Sequence, residues 1–318
     1  MSPQAARAAL RRLGALLVQL GATAFGATLL VAGGAASSTV AGAARPAPVQ
    51  VVAAENFWGN VAAQIGGRDV AVTSLITNPN ADPHVFETDA RDAATLAHAQ
   101  VVIDNGAGYD DWMTSLLGAD GANARVVQAA GAMGVHGANP NPHLWYDLPD
   151  VPKMAARMAA ALRAAAPQDA AYFRRNLRSF DASLLALDAT IAAIRARYPG
   201  APVAYTERVP GYLLAAAGLD VKTPRGFAQA IEEGQDPGPA DTLAMRRLLA
   251  GHGVDVLLYN TQAVTPVTTQ MRALARQHGI PVVGVSETMP SGTGTYQQWQ
   301  QSQLNALARA LVRQHGTK

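Results

Sequence analysis

Four side chains able to bind a metal occur in this chain of 318 residues, each in a short and distinctive context. They are His84, His143, Glu207 and Glu287. The two imidazoles lie in the first half of the chain and the two carboxylates in the second. If the halves fold as two lobes, the four residues could hold one ion in the cleft between them. The chemistry would then be metal capture, without catalysis.

Both histidines follow proline-containing turns, which restrict the chain and present an imidazole at a fixed angle. His84 follows Asn78-Pro79-Asn80-Ala81-Asp82-Pro83, and His143 follows Asn139-Pro140-Asn141-Pro142. A lone loop histidine is more often simply solvated, but the repeated arrangement makes ligation by both as credible as solvation. His136, in a nearby loop rich in Gly and Ala, is a candidate accessory ligand.

Both glutamates follow predicted strands: Glu207 comes immediately after residues 203–206, and Glu287 comes shortly after residues 282–285. Residues just past the carboxyl ends of parallel strands line the crevice where ligands bind, and we expect all four candidates in such places. Each glutamate also has an ordinary alternative. Glu207 can pair with Arg208 or cap the following helix, and Glu287 can be an exposed loop acid.

The elements that must position these residues alternate along the chain. Short β-branched runs alternate with Ala-rich helical segments, which is typical of α/β units with parallel sheets. The predicted strands are 49–53, 70–75, 101–104, 125–128, 203–206, 254–259 and 282–285. Between the two strand groups, helices are predicted at 151–165 and from Pro167 to Tyr198, the second without internal Gly or Pro.

This pattern predicts two α/β lobes, each with a central, mostly parallel sheet flanked by helices, joined by one long rigid linker helix. The predicted boundaries place the N-terminal lobe at 45–165, the linker helix at 166–199 and the C-terminal lobe at 200–318. A length of 318 residues suits two lobes better than one.

Residues 1–44 are predicted to be a cleavable signal peptide. Three arginines precede an uncharged run from residue 13 to residue 40, and cleavage is expected near Ala43 or Ala44. An uncleaved membrane anchor is the alternative, because residues 13–31 approach the roughly 20 apolar residues that span a bilayer. Export predicts a periplasmic or secreted protein.

Composition excludes several classes of function. The chain contains no cysteine, so it has no disulfide, no thiolate metal site and no lipid-anchor cysteine. Removing the leader arginines Arg7, Arg11 and Arg12 from the 25 basic residues leaves 22, against 23 acidic ones. This balance, without a basic cluster, argues against binding to nucleic acid. No serine has the context of a nucleophile elbow.

The motifs together resemble the periplasmic metal-binding proteins that deliver zinc, manganese or iron to ABC importers. The resemblance is carried by Glu55-Asn56-Phe57-Trp58, Asp82-Pro83-His84, Asn141-Pro142-His143-Leu144-Trp145, Asn260-Thr261-Gln262 and Ser286-Glu287-Thr288. It implies two α/β lobes joined by one long helix, with a single ion between them. It further implies a monomer that docks on an ABC permease in the cytoplasmic membrane.

The resemblance also implies the ligands. His84 and His143 match the family's two histidine ligands. Glu207 falls at a position where many zinc-binding members have histidine and some manganese-binding members have glutamate. Glu287 falls at a position where aspartate is usual. Carboxylate oxygen suits harder ions than imidazole does, so the set shifts the expectation toward manganese or iron and leaves zinc open. Coordination numbers from four to six are open, because each glutamate can bind through one or both oxygens.

Two other functions remain as alternatives. A protein that binds a chelate, such as a haem or a siderophore, would share the strut-helix architecture but use aromatic residues and Arg in place of convergent ligands. A metallohydrolase would need an open coordination position and a general base beyond the ligands, and no unassigned Glu or His has a convincing context for that role.

Overall fold

The computed structural model describes residues 46–78, 86–120 and 123–316. The predicted signal peptide and His84 therefore lie outside the described residues. The strands are β1 (Val49–Glu55), β2 (Val70–Ile76), β3 (Val101–Asp104), β4 (Arg125–Gln128), β5 (Pro202–Tyr205), β6 (Asp220–Val221), β7 (Val256–Asn260) and β8 (Val282–Val285). The helices are α1 (Asn56–Gly66), α2 (Ala90–Ala97), α3 (Asp111–Asp120), α4 (Ala129–Met133), α5 (Val151–Ala165), α6 (Ala170–Arg197), α7 (Gly211–Ala216), α8 (Arg225–Glu232), α9 (Pro239–Ala250), α10 (Pro266–Gln277) and α11 (Tyr296–His315).

Within the described ranges, the strands form two four-stranded sheets in which every neighbouring pair is parallel. The first has the order β2-β1-β3-β4 and the second the order β6-β5-β7-β8. The predicted α/β class with two parallel sheets is confirmed. All seven predicted strands form, with ends shifted by at most two residues. Only β6 was missed, because a strand of two residues carries no periodic pattern.

Each sheet is covered by helices on both faces, which explains why the strands are largely apolar. A shared core contains one face of each sheet together with side chains of α1, α5, α6 and α11. On its other face, the first sheet packs its Val52 and Val102 against α2 and α3. The second sheet likewise packs Ala204 and Leu257 against α8, α9 and α10.

The predicted long helix is confirmed as α6, which spans 28 residues and so extends roughly 40 Å. One side of it is buried at spacings of three, four and seven residues, as the apolar pattern indicated. The buried residues are Phe173, Phe180, Leu184, Leu187, Ile191 and Ile194. The side chain of Leu185, on the opposite side, is 64% exposed. Because α1, α5 and α11 all pack on α6, it lies against elements from both halves of the chain.

Helix α1 is also hydrogen-bonded to the segment that precedes α11. The Asn56 side chain donates to the Met289 carbonyl and accepts from the Met289 amide, both at 2.9 Å. One turn later, Asn60 donates to the Gly294 carbonyl at 3.0 Å and accepts from the Tyr296 amide at 2.9 Å. These paired contacts join the first half of the chain to the second. The lobe boundaries at 45–165 and 200–318 stay a prediction.

None of the helices in the described part of the chain combines the length and the apolar character needed to cross a membrane.

Candidate metal centre

His143, Glu207 and Glu287 converge at one point between the two sheets. Nε2 of His143 lies 3.9 Å from Oε1 of Glu207 and 3.7 Å from Oε2 of Glu287. The three ligand atoms all lie within 4.8 Å of one another, and all three residues are buried. Among the described residues, no other group of three or more His, Asp or Glu is placed in this way. His136 is exposed and is not part of the group.

The second sheet supplies both carboxylates from the ends of its strands. Glu207 stands two residues beyond β5, and Glu287 stands two residues beyond β8. The expected alternative partner of Glu207 is engaged elsewhere, because Arg208 donates from Nε to Oε2 of Glu232 at 2.7 Å. Glu287 is not an exposed loop acid, since it is fully buried. Both glutamates therefore lie just past the carboxyl ends of parallel strands, which is where ligand-binding crevices form in such sheets.

His143 differs from the expectation, because it does not follow a strand. Helix α4 and the loop 134–142 separate it from β4, and it directly precedes a 3₁₀ turn, Leu144–Tyr146. The sequence missed this because α4 is only five residues long. The proline turn nevertheless positions the ring, since Asn141 Oδ1 lies 2.7 Å from Nδ1 and accepts from the His143 amide at 3.1 Å.

The Asn141 contact fixes the tautomer of His143. A carbonyl oxygen only accepts, so Nδ1 carries a proton, and Nε2 is the nitrogen that faces the carboxylates. The amide orientation of Asn141 is itself set, because its Nδ2 donates to the Arg208 carbonyl at 2.9 Å. Such a partner on the far ring nitrogen is typical of metal-ligating histidines.

Two residues at the site received no role from the sequence. Nδ2 of Asn260 donates to Oε2 of Glu207 at 2.6 Å and to Oε1 of Glu287 at 2.7 Å. The Tyr109 hydroxyl donates to Oε2 of Glu287 at 2.9 Å. Asn260 could have been found from its place, because it ends β7, which adjoins β5 where the order of the second sheet reverses.

Aromatic rings enclose the imidazole on the side of the first sheet. The ring of Trp145 lies 5.3 Å from that of His143, between centroids, and stacks on Phe57 at 4.1 Å. Tyr109 packs against Trp145 at 4.7 Å. Trp145 and Phe57 are fully buried and Tyr109 is nearly so. Because this wall excludes water, it strengthens the electrostatic interaction between an ion and its ligands.

The first sheet carries a second set of buried acids, near the carboxyl ends of β1 and β3. Burial, together with the charges of Asp110 and Asp104, raises the pKa of Glu55 well above its ordinary value. Burial and Asp104 raise the pKa of Asp110 to about 7, although the amides of Asn105 and Gly106 donate to its carboxylate. Burial also raises the pKa of Asp104. These acids retain protons that an exposed carboxyl group would release.

A cavity of about 480 Å³ lies beside the metal centre and is lined from both halves of the chain. Pro142 and Arg208, which adjoin two of the candidate ligands, line it together with Glu232 and Glu233. The charge of Arg208 is balanced by its ion pair with Glu232. The described lining residues include no aromatic side chain. The cavity is therefore polar, with carboxylates on its wall.

Residues 51–310 match the family described as "Zinc-uptake complex component A periplasmic". A putative metal-binding protein of Treponema pallidum is 27% identical over 157 residues, which are 43% of this chain and 49% of that protein. The manganese-binding lipoprotein MntA of Bacillus subtilis is 29% identical over 155 residues, 46% of this chain and 50% of that protein. The matched part thus spans about half the length of these curated relatives.

Solved structures share the fold over most of the chain. The periplasmic zinc-binding protein TroA of Treponema pallidum superposes with a TM-score of 0.72 at 20% identity, covering 84% of this chain and 99% of that one. FpvC of Pseudomonas aeruginosa in complex with Mn²⁺ gives a TM-score of 0.71 at 22% identity, with the same coverage. At these identities the likeness establishes the two-lobe α/β fold.

Proposed function

This chain belongs to the ZnuA family of periplasmic zinc-uptake components, and we propose that it captures a divalent transition-metal ion and delivers it to an ABC importer. The observation that carries the proposal is the convergence of His143, Glu207 and Glu287 at one buried point. His84 is proposed as the fourth ligand. In this role no bond is made or broken, so the chain is a binding protein and has no catalytic residue.

The charges of the site support ion capture. Two carboxylates and a neutral imidazole around a divalent cation make a site with no net charge, which can be buried at little electrostatic cost. Without the ion, Glu207 and Glu287 place two like charges in an environment from which water is excluded. A bound cation would relieve the repulsion between these two carboxylates, and this relief favours tight binding.

Zinc and manganese are the leading ions, and iron is a further candidate. Among the relatives, one is named as manganese-binding and another, YfeA of Yersinia pestis, as iron-binding. The transported ion is the cargo of the protein, and one ion per chain is expected. We propose a monomer that acts in the periplasm or after secretion and docks on a permease in the cytoplasmic membrane.

The cavity beside the site does not favour a large organic chelate. A haem or a siderophore would be held by aromatic faces and by an unpaired cation, whereas the described lining offers neither an aromatic ring nor an Arg free of Glu232. The carboxylates of Glu232 and Glu233 would instead attract a free cation. No observation favours a metallohydrolase.

Elemental analysis of the purified protein tests the proposal. We expect one transition-metal ion per chain in the wild type and loss of the ion in Glu207→Ala and in His84→Ala. Glu233→Ala, which removes an exposed acid beside the same cavity, is the matched control and should keep the ion. Absence of metal from the wild type, with binding of an organic chelate retained, would overturn the proposal.

A further inference from the structure

We propose that Asn260 restricts each glutamate to one metal-binding oxygen and thereby favours zinc over manganese. The inference rests on the proposed function, because it concerns the ion held by the same carboxylates. Asn260 is not itself a ligand. It is a positioning residue, which sets how many carboxylate oxygens the ion can use.

The first step is that one amide group contacts both carboxylates. The side-chain nitrogen of Asn260 carries two hydrogens, and it lies 2.6 Å from Oε2 of Glu207 and 2.7 Å from Oε1 of Glu287. Each carboxylate can therefore receive one of the two hydrogens. Hydrogen bonds to ionised acceptors are short and about twice as strong as neutral ones. Asn260 is itself 1% exposed, so water does not compete for these contacts.

The second step is that the orientation of the amide is fixed by the backbone. Oδ1 of Asn260 accepts from the Gln262 amide at 3.0 Å, so the nitrogen must face the carboxylates. The backbone amide of Asn260 donates to Oγ1 of Thr206 at 3.0 Å, which ties the end of β7 to the residue before Glu207. The donor is thus in place before any ion arrives.

The third step concerns the backbone of the second glutamate. Oε1 of Gln262 accepts from the amides of Glu287 and Thr288 at 2.6 and 3.0 Å. Nε2 of Gln262 donates to Oγ1 of Thr288 at 3.0 Å. Gln262 therefore holds the backbone of Glu287 as well as the side chain of Asn260.

The fourth step is that the remaining oxygens face the imidazole. The oxygens within 4 Å of His143 Nε2 are Oε1 of Glu207 and Oε2 of Glu287, which are not the oxygens bonded to Asn260. The second of these also accepts from the Tyr109 hydroxyl. One oxygen of each carboxylate thus faces the metal centre, and the other oxygen accepts a hydrogen bond from Asn260.

One oxygen from each glutamate and one nitrogen from His143 make three ligands among the described residues, and His84, proposed above as the fourth ligand, would bring the number to four. Zinc prefers tetrahedral sites with nitrogen and oxygen ligands, whereas manganese suits sites with six oxygen-rich ligands. The carboxylate content alone pointed toward manganese or iron. The Asn260 contacts shift the balance toward zinc, because they engage the second oxygen of each glutamate, which an ion of higher coordination number would otherwise use.

Asn260→Ala tests the inference, with zinc and manganese affinities measured by chelator competition and the zinc coordination number measured by X-ray absorption. Partners of metal ligands typically contribute about 10–100-fold to metal affinity. We expect zinc affinity to fall within that range, manganese affinity to fall less, and the zinc coordination number to rise above four.

Thr261→Ala is the matched control, because its hydroxyl donates to the Val285 carbonyl and not to a carboxylate. Asn260→Ser, which retains a polar side chain, replaces the alanine variant if thermal unfolding of the apo protein shows that the latter does not fold. An equal fall in both affinities, with zinc still four-coordinate, would overturn the role of Asn260 and leave metal capture intact. A wild-type protein that binds neither ion would instead overturn the proposed function.

Discussion

Asn141 and His143 show how a side chain that binds no metal can control one that does. The amide oxygen of Asn141 holds the proton on Nδ1, so Nε2 is the nitrogen that faces the carboxylates. The sequence predicted His143 and both glutamates from their strand and turn contexts. It gave no role to Asn141 or Asn260, because the role of a side-chain amide depends on which atoms it contacts. For Asn260 those contacts join residues far apart in the chain.

The variant Asn141→Ala is expected to weaken metal binding by about 10–100-fold, because the imidazole loses the acceptor that fixes its tautomer and orientation. Isothermal titration with zinc measures the change. Asn139→Ala is the control, since Asn139 contacts Arg208 and not the imidazole. Equal affinities for the two variants would contradict the assigned role.

The buried acids of the first sheet predict how stability depends on pH. The folded state raises the pKa of Glu55 well above its ordinary value and that of Asp110 to about 7. The folded protein then binds protons that the unfolded chain has released, so the contribution of these groups to stability is greatest at low pH and falls as pH rises from about 4 through 7. Glu55→Gln removes one of these groups, and we expect the fall to be smaller.

Urea unfolding of the metal-free protein at pH 4.5 and pH 7.5 measures this effect in the wild type and in Glu55→Gln. The exposed Glu87→Gln variant is the control and should behave as the wild type. A decline with pH that Glu55→Gln leaves unchanged would show that this carboxyl group does not carry the raised pKa.

At the scale of elements, most of the fold could be predicted from the sequence, because the spacing of apolar residues over a long segment reflects whether that segment is a helix or a strand. Helix α6 was predicted from apolar residues at helical spacing, and the strands from β-branched runs between helices. The errors fell on short elements, namely β6 and α4. Their few residues form because neighbouring elements pair or pack with them, and a local pattern does not contain that information.

Adjacent leucines on α6 allow the packing of this helix to be tested. Leu184 is 3% exposed, whereas Leu185 is 64% exposed. Leu184→Ala should lower the free energy of unfolding by about 2–5 kcal/mol, because it leaves a cavity in the shared core. Leu185→Ala should change it by less than about 0.5 kcal/mol. Denaturant unfolding distinguishes the two, and similar losses would contradict the burial of this face.

At the scale of the whole molecule, two kinds of contact connect the halves. Helix α6 packs against elements of both, and α1 is hydrogen-bonded to residues 289–296 through Asn56 and Asn60. Opening the cleft widely would break these paired bonds and expose part of the shared core. We therefore expect only small movements of the halves when the ion binds.

Small-angle scattering of the apo and metal-loaded protein tests this expectation. The radius of gyration should be nearly the same in both states. An Asn56→Ala, Asn60→Ala double variant removes the paired bonds, and a larger difference between its two states would support their role. A large compaction of the wild type on loading would contradict a rigid connection.

The wall of rings around His143 also gives the protein an optical signal of its own. Trp145 is fully buried with its ring 5.3 Å from the imidazole, so an ion on Nε2 would lie close to a fluorophore. Zinc has a filled d shell, whereas manganese has unpaired electrons that quench emission. Manganese should therefore dim the tryptophan fluorescence and zinc should mainly shift it, with both responses reduced in Trp145→Phe. Comparing the emission of the protein as purified with that of the same sample stripped by a chelator would then reveal, without any added dye, which kind of ion it carried.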